Sequence, residues 1–379
     1  MTGKERLALA TRLKRPDRVP AMCQLAMGHL YLKTGLSPLE IWHDPGLYAL
    51  ALAMMRDRYA FDGILVSVPG GDPDWRSKIA EETPTPSGAL VRWREAPLNR
   101  SPYPLGEDET LYPHDDLPRP VRPAPLASLT ELDPEAIDTL EDVPDWMLSN
   151  LRAARQVAGD EWAVHGETIS PFDKLLEALG MEAGLMALVD DPAKAHAILR
   201  RGTEYGANWA VAQVRDGCDA MKLSSPYVGN GFLSRGMYRE FVLPYETELI
   251  RRVHKAAPGV PVYTHTCGAI GDRLELIEES GADGIECLDP PPLGDVELTD
   301  AVARVGERLF IKGNVDSVNT LLFKRPDAIR RDVEAVCRAG MEACGFVLST
   351  ACSIAPGVPE EHVRIIAEVA ATASYGPET

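Results

Sequence analysis

His265 and Cys267 lie two residues apart in the stretch Val-Tyr-Thr-His-Thr-Cys-Gly, residues 262 to 268. On an extended strand such residues project from the same face, so an imidazole and a thiol can reach one soft metal ion. Cys352, in Ser-Thr-Ala-Cys-Ser-Ile-Ala-Pro (349 to 356), stands in a similar setting. One imidazole and two thiolates favour Zn2+ over Mg2+ or Ca2+, and three protein ligands leave a coordination position for chemistry. The competing reading of such a pair is a packed cysteine beside a hydrogen-bonded histidine. Glu286, in Gly-Ile-Glu-Cys-Leu-Asp, is a candidate fourth ligand, or else a carboxylate hydrogen-bonded behind the ligands. Its neighbour Cys287 is expected to face the opposite side and pack. Cys23, Cys218, Cys337 and Cys344 are also read as structural.

These residues must be held by a scaffold that brings distant segments together. Short apolar runs bounded by turn residues fall at Pro20–Met27, Gly63–Val68, Trp162–Ile169, Ala220–Ser224, Pro261–Thr266, Gly284–Leu288, Leu309–Gly313 and Gly345–Thr350. Several are continuously apolar, as strands buried on both faces are. Helical patterns fill the gaps, most clearly at Glu182–Met186, Pro192–Asp216, Ser234–Ala256, Ala328–Ala339 and Pro359–Ala371. Strands alternating with helices predict an α/β protein, a (β/α)8 TIM barrel, whose active site is built from the C-terminal strand ends. His265 and Cys267 fall at the end of the fifth such strand, and Cys352 after the eighth. Other polar residues at strand ends are candidates for contacting substrate or cofactor: Gln24, His165, Glu167, Asn314 and Asp316. Tyr227, with Met22, Met27 and Phe232, is read as apolar lining near the same ends, against ordinary packing as the alternative.

Residues 70 to about 150 break the rhythm with many prolines, among them Pro84, Pro86, Pro102, Pro104, Pro118, Pro120, Pro123 and Pro125. Proline density of this kind does not suit a regular βα unit. The segment is expected to form an irregular insertion after the second strand, with a short hairpin around Ala89–Glu95. It would lie as a lid over the active face of one barrel domain spanning residues 1–379. Trp75, Trp93, Tyr103 and Tyr112 supply apolar anchors.

With 379 residues, 45% of them hydrophobic, the chain can bury a large core. A formal charge of -18 argues against nucleic acid or an anionic membrane surface as partner. No run of 18 or more apolar residues is present, and the charged start Met-Thr-Gly-Lys-Glu-Arg-Leu does not read as a signal peptide. Seven scattered cysteines fit a reducing, cytoplasmic location rather than a disulfide framework.

Five stretches carry a family resemblance: Gly-Glu-Thr-Ile-Ser-Pro-Phe (166 to 172), Leu-Ser-Arg-Gly-Met-Tyr-Arg-Glu-Phe-Val-Leu-Pro-Tyr (233 to 245), Tyr-Thr-His-Thr-Cys-Gly (263 to 268), Ile-Lys-Gly-Asn-Val-Asp (311 to 316) and Leu-Ser-Thr-Ala-Cys-Ser-Ile-Ala-Pro (348 to 356). The chain resembles the uroporphyrinogen decarboxylase superfamily, and within it the zinc-dependent, corrinoid-linked methyltransferases. True decarboxylases carry an arginine-rich first strand that clamps substrate carboxylates. Here that strand reads Ala-Met-Cys-Gln-Leu-Ala-Met-Gly-His (21 to 29), without arginine. After the second strand, where the decarboxylases place an Asp, this chain has Val66-Ser67-Val68-Pro69, with Asp72 and Asp74 following. In the methyltransferase branch, His265, Cys267 and Cys352 carry over as zinc ligands.

The resemblance further implies a corrinoid (cobalamin) presented by a separate corrinoid-binding protein, and a homodimer. It implies methyl transfer in one of two directions. Either a small methylated substrate, with a methyl ether preferred, loses its methyl group to cobalt in an O-demethylation, or a thiol of the coenzyme M type accepts it. A porphyrinogen decarboxylase and a non-catalytic barrel binding a corrinoid or other ligand are the remaining alternatives.

Overall fold

The computed structural model describes residues 1–99, 103–115 and 128–375. Seven strands form one curled parallel sheet: β1 (Gly63–Val66), followed after three intervening strands by β5 (Ala163–Ile169), β6 (Ala220–Ser224), β7 (Val262–Thr266), β8 (Gly284–Cys287), β9 (Phe310–Val315) and β10 (Phe346–Thr350). Each pairs with the next in that order, every pairing parallel. Their limits agree with the sequence-based strands to within two residues, because each is a short apolar run covered by helices outside.

The first expected strand, Pro20–Met27, is the exception. It joins the barrel through isolated bridges, Ala21 to Leu348 and Leu25 to Ile354, rather than a continuous ladder. On its other side Asp62 N–H donates to Ala21 O at 2.8 Å. The segment therefore stands between β10 and the start of β1 as an irregular eighth stave, and the fold is a TIM barrel. Asp62, almost wholly buried, fixes this seam. Its carboxylate accepts the Ala21 N–H at 2.9 Å, two Arg18 N–H groups at 2.8 and 2.9 Å, and Arg6 at 3.3 Å.

Helices fall where the apolar pattern places them, at Met181–Asp190, Pro192–Arg215, Pro326–Gly340 and Glu360–Thr372. The expected helix Ser234–Ala256 is instead two, Arg235–Phe241 and Leu243–Ala256, separated at Val242. Pro244 explains the break: it has no N–H to give the Glu240 carbonyl and its ring crowds that turn. Leu7 and Ala10 of the helix Gly3–Ala10 pack with Met22, Leu65, Ala163 and Val347 at the strand starts, closing the bottom of the barrel. Met22 thus fills the core rather than lining the mouth.

The insertion holds a three-stranded antiparallel sheet, β2 (Ile79–Thr85), β3 (Gly88–Trp93) and β4 (Glu109–Pro113), where a single hairpin was expected. The third strand was missed because Glu109-Thr110-Leu111-Tyr112-Pro113 is short and lies amid proline and acidic residues. Trp75, Val91, Trp93 and Tyr112 pack with Leu39 and Trp42 of the helix Pro38–His43, and Tyr112 hydrogen-bonds His43 Nε2 at 2.5 Å. The sheet is therefore anchored on the loop region that follows the first stave. Pro102, Pro118, Pro120, Pro123 and Pro125 lie outside the described residues.

Asp62→Ala should strip Arg18 of its carboxylate partner, leave Arg6 with Asp17 alone, and free the Ala21 N–H. We expect a loss of about 2 kcal/mol, discounted for the partial exposure of both guanidinium groups. A urea unfolding midpoint unchanged from the parent would show that the seam does not depend on this carboxylate.

Candidate metal centre

Along β7 the side chains alternate, so Tyr263, His265 and, just beyond the strand, Cys267 share the inner face. Tyr263 packs on the Phe310 ring at 5.6 Å between centroids. Gly284 makes room for that ring, since a Cβ there would lie 2.4 Å from two Phe310 carbons. His165 belongs to the same level: its Nδ1 lies 3.1 Å from Tyr263 Oη, and burial pushes its pKa down to about 3. It is a neutral, internal histidine that does not reach the rim.

The level above is a ring of charged groups. Glu286 Oε2 lies 2.9 Å from His265 Nδ1, and its other oxygen accepts from Lys312 Nζ. Lys312 also reaches Ser349 Oγ at 3.3 Å. Lys222 Nζ stands 3.6 Å from Glu286 and 3.2 Å from Glu167, and it donates across the lumen to Gln24 Oε1. Both lysines are essentially without solvent exposure. Burial alone would raise the Glu286 carboxyl, but Lys312 and Lys222 outweigh it and hold the group well below the usual range. Burial likewise acts to lower Lys222, and Glu167 and Glu286 reverse that, so it stays a cation. Two anions and two cations thus neutralise one another where water is excluded.

On top of this ring stand the candidate sulfur donors. Cys267 Sγ is 3.4 Å from His265 Nε2 and 3.8 Å from Cys352 Sγ, and the three donor atoms lie within 4.8 Å of one another. Tetrahedral zinc with Zn–S near 2.3 Å places two sulfurs about 3.8 Å apart, so the donor set fits the ion in type and spacing. His265 turns Nε2 to the sulfurs because Nδ1 is taken by Glu286, the carboxylate–histidine arrangement that fixes a ligand's ring and tautomer. The Cys267 thiol is held well below its usual range: contacts from Cys287, then Cys352, outweigh burial, with His265 adding to the effect.

Glu286, the candidate fourth ligand, is brought next to the trio, but both of its oxygens are already engaged, on His265 and Lys312. Glu167 and Gln24 come to the same ring through Lys222. Gln24 also lines a cavity with Met27, Tyr48 and Ser67. Asn314 donates to Leu288 O at 2.9 Å, and Asp316 accepts from Val318 and Asn319 in the turn after β9, so both shape loops. Tyr227 is 40% exposed and meets Phe232 edge-on at 5.7 Å on the loop after β6.

Sequence reasoning missed Lys222 and Lys312. The signal was a lone lysine in each of two apolar strands, Ala-Met-Lys-Leu-Ser and Phe-Ile-Lys-Gly-Asn, where a buried cation demands buried anions. Cys287 is a correction. Strict alternation would turn it away, but its φ of 84° and that of Leu288, 57°, end the extended run. Its Sγ, a carboxylate oxygen of Asp289 and Cys267 Sγ all lie within 4.8 Å of one another. Cys344, expected to pack, is exposed in the turn before β10, whereas Cys23, Cys218 and Cys337 are buried as expected.

Comparison with known proteins agrees with this architecture. The family model described as Uroporphyrinogen decarboxylase (URO-D) matches residues 110–373. A uroporphyrinogen decarboxylase from Chromohalobacter salexigens is 30% identical over 250 residues, which are 62% of this chain and 67% of that protein. One from Prochlorococcus marinus is 31% identical over 179 residues, so the chain spans about half the length of that relative, 47%. Among solved structures, a methyltransferase from Methanosarcina mazei superposes with a TM-score of 0.70 at 19% identity, covering 98% of both chains. The chain belongs to the uroporphyrinogen decarboxylase family. Among the described residues, no helix is long and apolar enough to cross a membrane.

Two predictions test the internal charges. Lys312→Met should cost about 3 to 5 kcal/mol by stranding Glu286, and Glu286→Leu in the same chain should recover part of it. Additive losses in urea midpoints would refute the pairing. The second concerns Glu246, buried against Ser225 Oγ at 2.7 Å and Tyr238 Oη at 3.1 Å, in support of the loop whose Ser225 N–H binds His265 O. Burial raises its pKa to about 7, and that of nearby Asp173 to about 8. Both folded values exceed the unfolded ones, so this stabilisation is complete below the unfolded pKa and fades as pH rises through about 7 to 8. Glu246→Gln should flatten the fall in stability between about pH 5 and 8 by roughly 3 kcal/mol; an unaltered pH profile would contradict it.

Proposed function

We propose that this protein is a zinc-dependent methyltransferase that moves a methyl group between the heteroatom of a small substrate and the cobalt of a corrinoid held by a partner protein. The observation that supports it most is the trio His265, Cys267 and Cys352, with sulfurs at the edge length of a zinc tetrahedron. A zinc ion there would stabilise negative charge on the heteroatom while the methyl group is transferred.

The chain's own residues supply the rest. Glu286 holds the His265 ring with Nε2 free, and Lys312 holds Glu286 as an anion. Gln24 and Glu167 fix Lys222, which keeps the charge beneath the ligands balanced. The exposed Tyr227–Phe232 pair at the rim offers an apolar flank, and this favours a methyl ether giving up its methyl group in an O-demethylation. The thiolate-rich donor set favours the second direction, transfer to a thiol acceptor as in coenzyme M methylation. Decarboxylation of a porphyrinogen, the activity in the relatives' names, fits less well. The first stave, residues 21 to 29, carries no arginine for substrate carboxylates, and the two buried lysines are committed to Glu167 and Glu286. The insertion would serve as a cover over the mouth, and the protein would act in the cytoplasm as a homodimer.

Metal analysis of protein purified without added zinc should give about one Zn2+ per chain. Cys352→Ala should lose most of the zinc and bring methyl transfer, followed as the absorbance of methylcobalamin, to background. Its circular dichroism should stay that of the parent. A zinc-free parent protein, or full turnover by the variant, would refute the reading.

A further inference from the structure

The arm that carries Cys267 is bound to a second loop, residues 225 to 234. That loop joins β6 to the helix Arg235–Phe241 and bears the exposed Tyr227–Phe232 pair. The two backbones meet at three places. Ser225 N–H donates to His265 O at 2.8 Å, and Asn230 N–H to Ala269 O at 2.7 Å. Gly229 lies so close that a Cβ there would stand 2.7 Å from Cys267 O and 3.2 Å from Ala269 O. The fourth tie is a side chain. Arg273, from the short turn Gly271–Arg273 at the end of the arm, has no solvent exposure. Its guanidinium donates to Val228 O at 2.5 Å and to Leu233 O at 2.9 Å. These carbonyls flank the turn that Gly229 O closes by accepting the Phe232 and Leu233 N–H groups, each at 3.0 Å. Arg273 also pairs with Asp272, at 2.8 and 3.2 Å, and its guanidinium carbon stands 5.4 Å from the centre of the Tyr238 ring.

A buried cation is tolerated only while its donors are occupied. If loop 225–234 lifted away, Arg273 would lose two carbonyls and keep only Asp272, its neighbour in sequence. The planar fork reaches both carbonyls at once, which a lysine ammonium on its flexible stem does not reproduce. Val228 and Leu233 are themselves fully buried, so the loop is held from within while Tyr227 and Phe232 face outward. We propose that Arg273 is a positioning residue for the metal centre: it clasps loop 225–234 to the Cys267 arm, so that the apolar rim pair and the thiol move as one body and a metal held by the trio orders both. The metal half of this statement rests on the zinc reading above; the clasp itself does not. The separation between the Tyr227–Phe232 flank and the ion is then set by the protein before any substrate arrives.

Hydrogen–deuterium exchange on the full chain, metal-free and with Co2+ as a coloured probe for zinc, tests this. In the metal-free state Arg273→Met should lose protection over 226–233 and 267–270 together, with β5 unchanged. Loss confined to 226–233, or no loss, overturns the clasp. Co2+ added to the parent should raise protection over 226–233 as well as over 267–270; a gain confined to 267–270 overturns the coupling. Co2+ affinity, read from the thiolate-to-cobalt absorption band, should fall about tenfold in Arg273→Met and recover in part in Arg273→Lys. Unchanged affinity in Arg273→Met refutes the positioning role. Gly229→Ala keeps Arg273 but presses on Cys267 O, and should show the same paired loss of protection. The parent's response to Co2+ needs no variant, so an Arg273→Met chain that fails to fold does not spare the proposal. A parent that gives no Co2+ band refutes the zinc reading instead, and the metal-free exchange then decides the clasp by itself.

Discussion

The structure turns on a carboxylate buried between a histidine and a lysine. Glu286 is nearly inaccessible to solvent, and an ion in that position is tolerable only with full compensation. Lys312 supplies it directly and Lys222 from the other side, and each lysine in turn requires its own partners, Ser349, Glu167 and Gln24. These groups come from the first stave and from β5, β6, β8, β9 and β10. The ring is thus a tie between parts of the chain that no local interaction joins. Its geometry also fixes the direction of the His265 ring, so the stability of the barrel and the poise of the candidate donor set share one network.

Much of the scaffold was legible in the sequence because strands buried on both faces leave a plain record as apolar runs. The irregular first stave was legible only in position, since its pairing is set by Asp62 and by β10, both distant in sequence. The break near Val242 follows from Pro244 and could have been read. The third strand of the insertion could not, because its apolar anchoring on Leu39 and Trp42 is a tertiary fact.

The site was readable to the extent that it follows period-two geometry. His265 and Cys267 obey it; Cys287 does not, because its backbone leaves the extended region at that residue. Glu286 was legible as a buried carboxylate in need of partners, but not which partners it has. The strand-end polar residues divide by height along the barrel. His165 lies too deep to meet a ligand, Glu167 and Gln24 serve the charged ring, and Asn314 and Asp316 shape the loops above it. Sequence position marks the strand but not the depth, and depth decides the role.

The contact between Lys222 and Gln24 spans the lumen from β6 to the first stave. With Glu167, Glu286 and Lys312 beside it, it makes a solid floor just beneath the sulfurs. A molecule that reached His265, Cys267 and Cys352 would meet them above this floor. The two cysteines are partly exposed on its upper side.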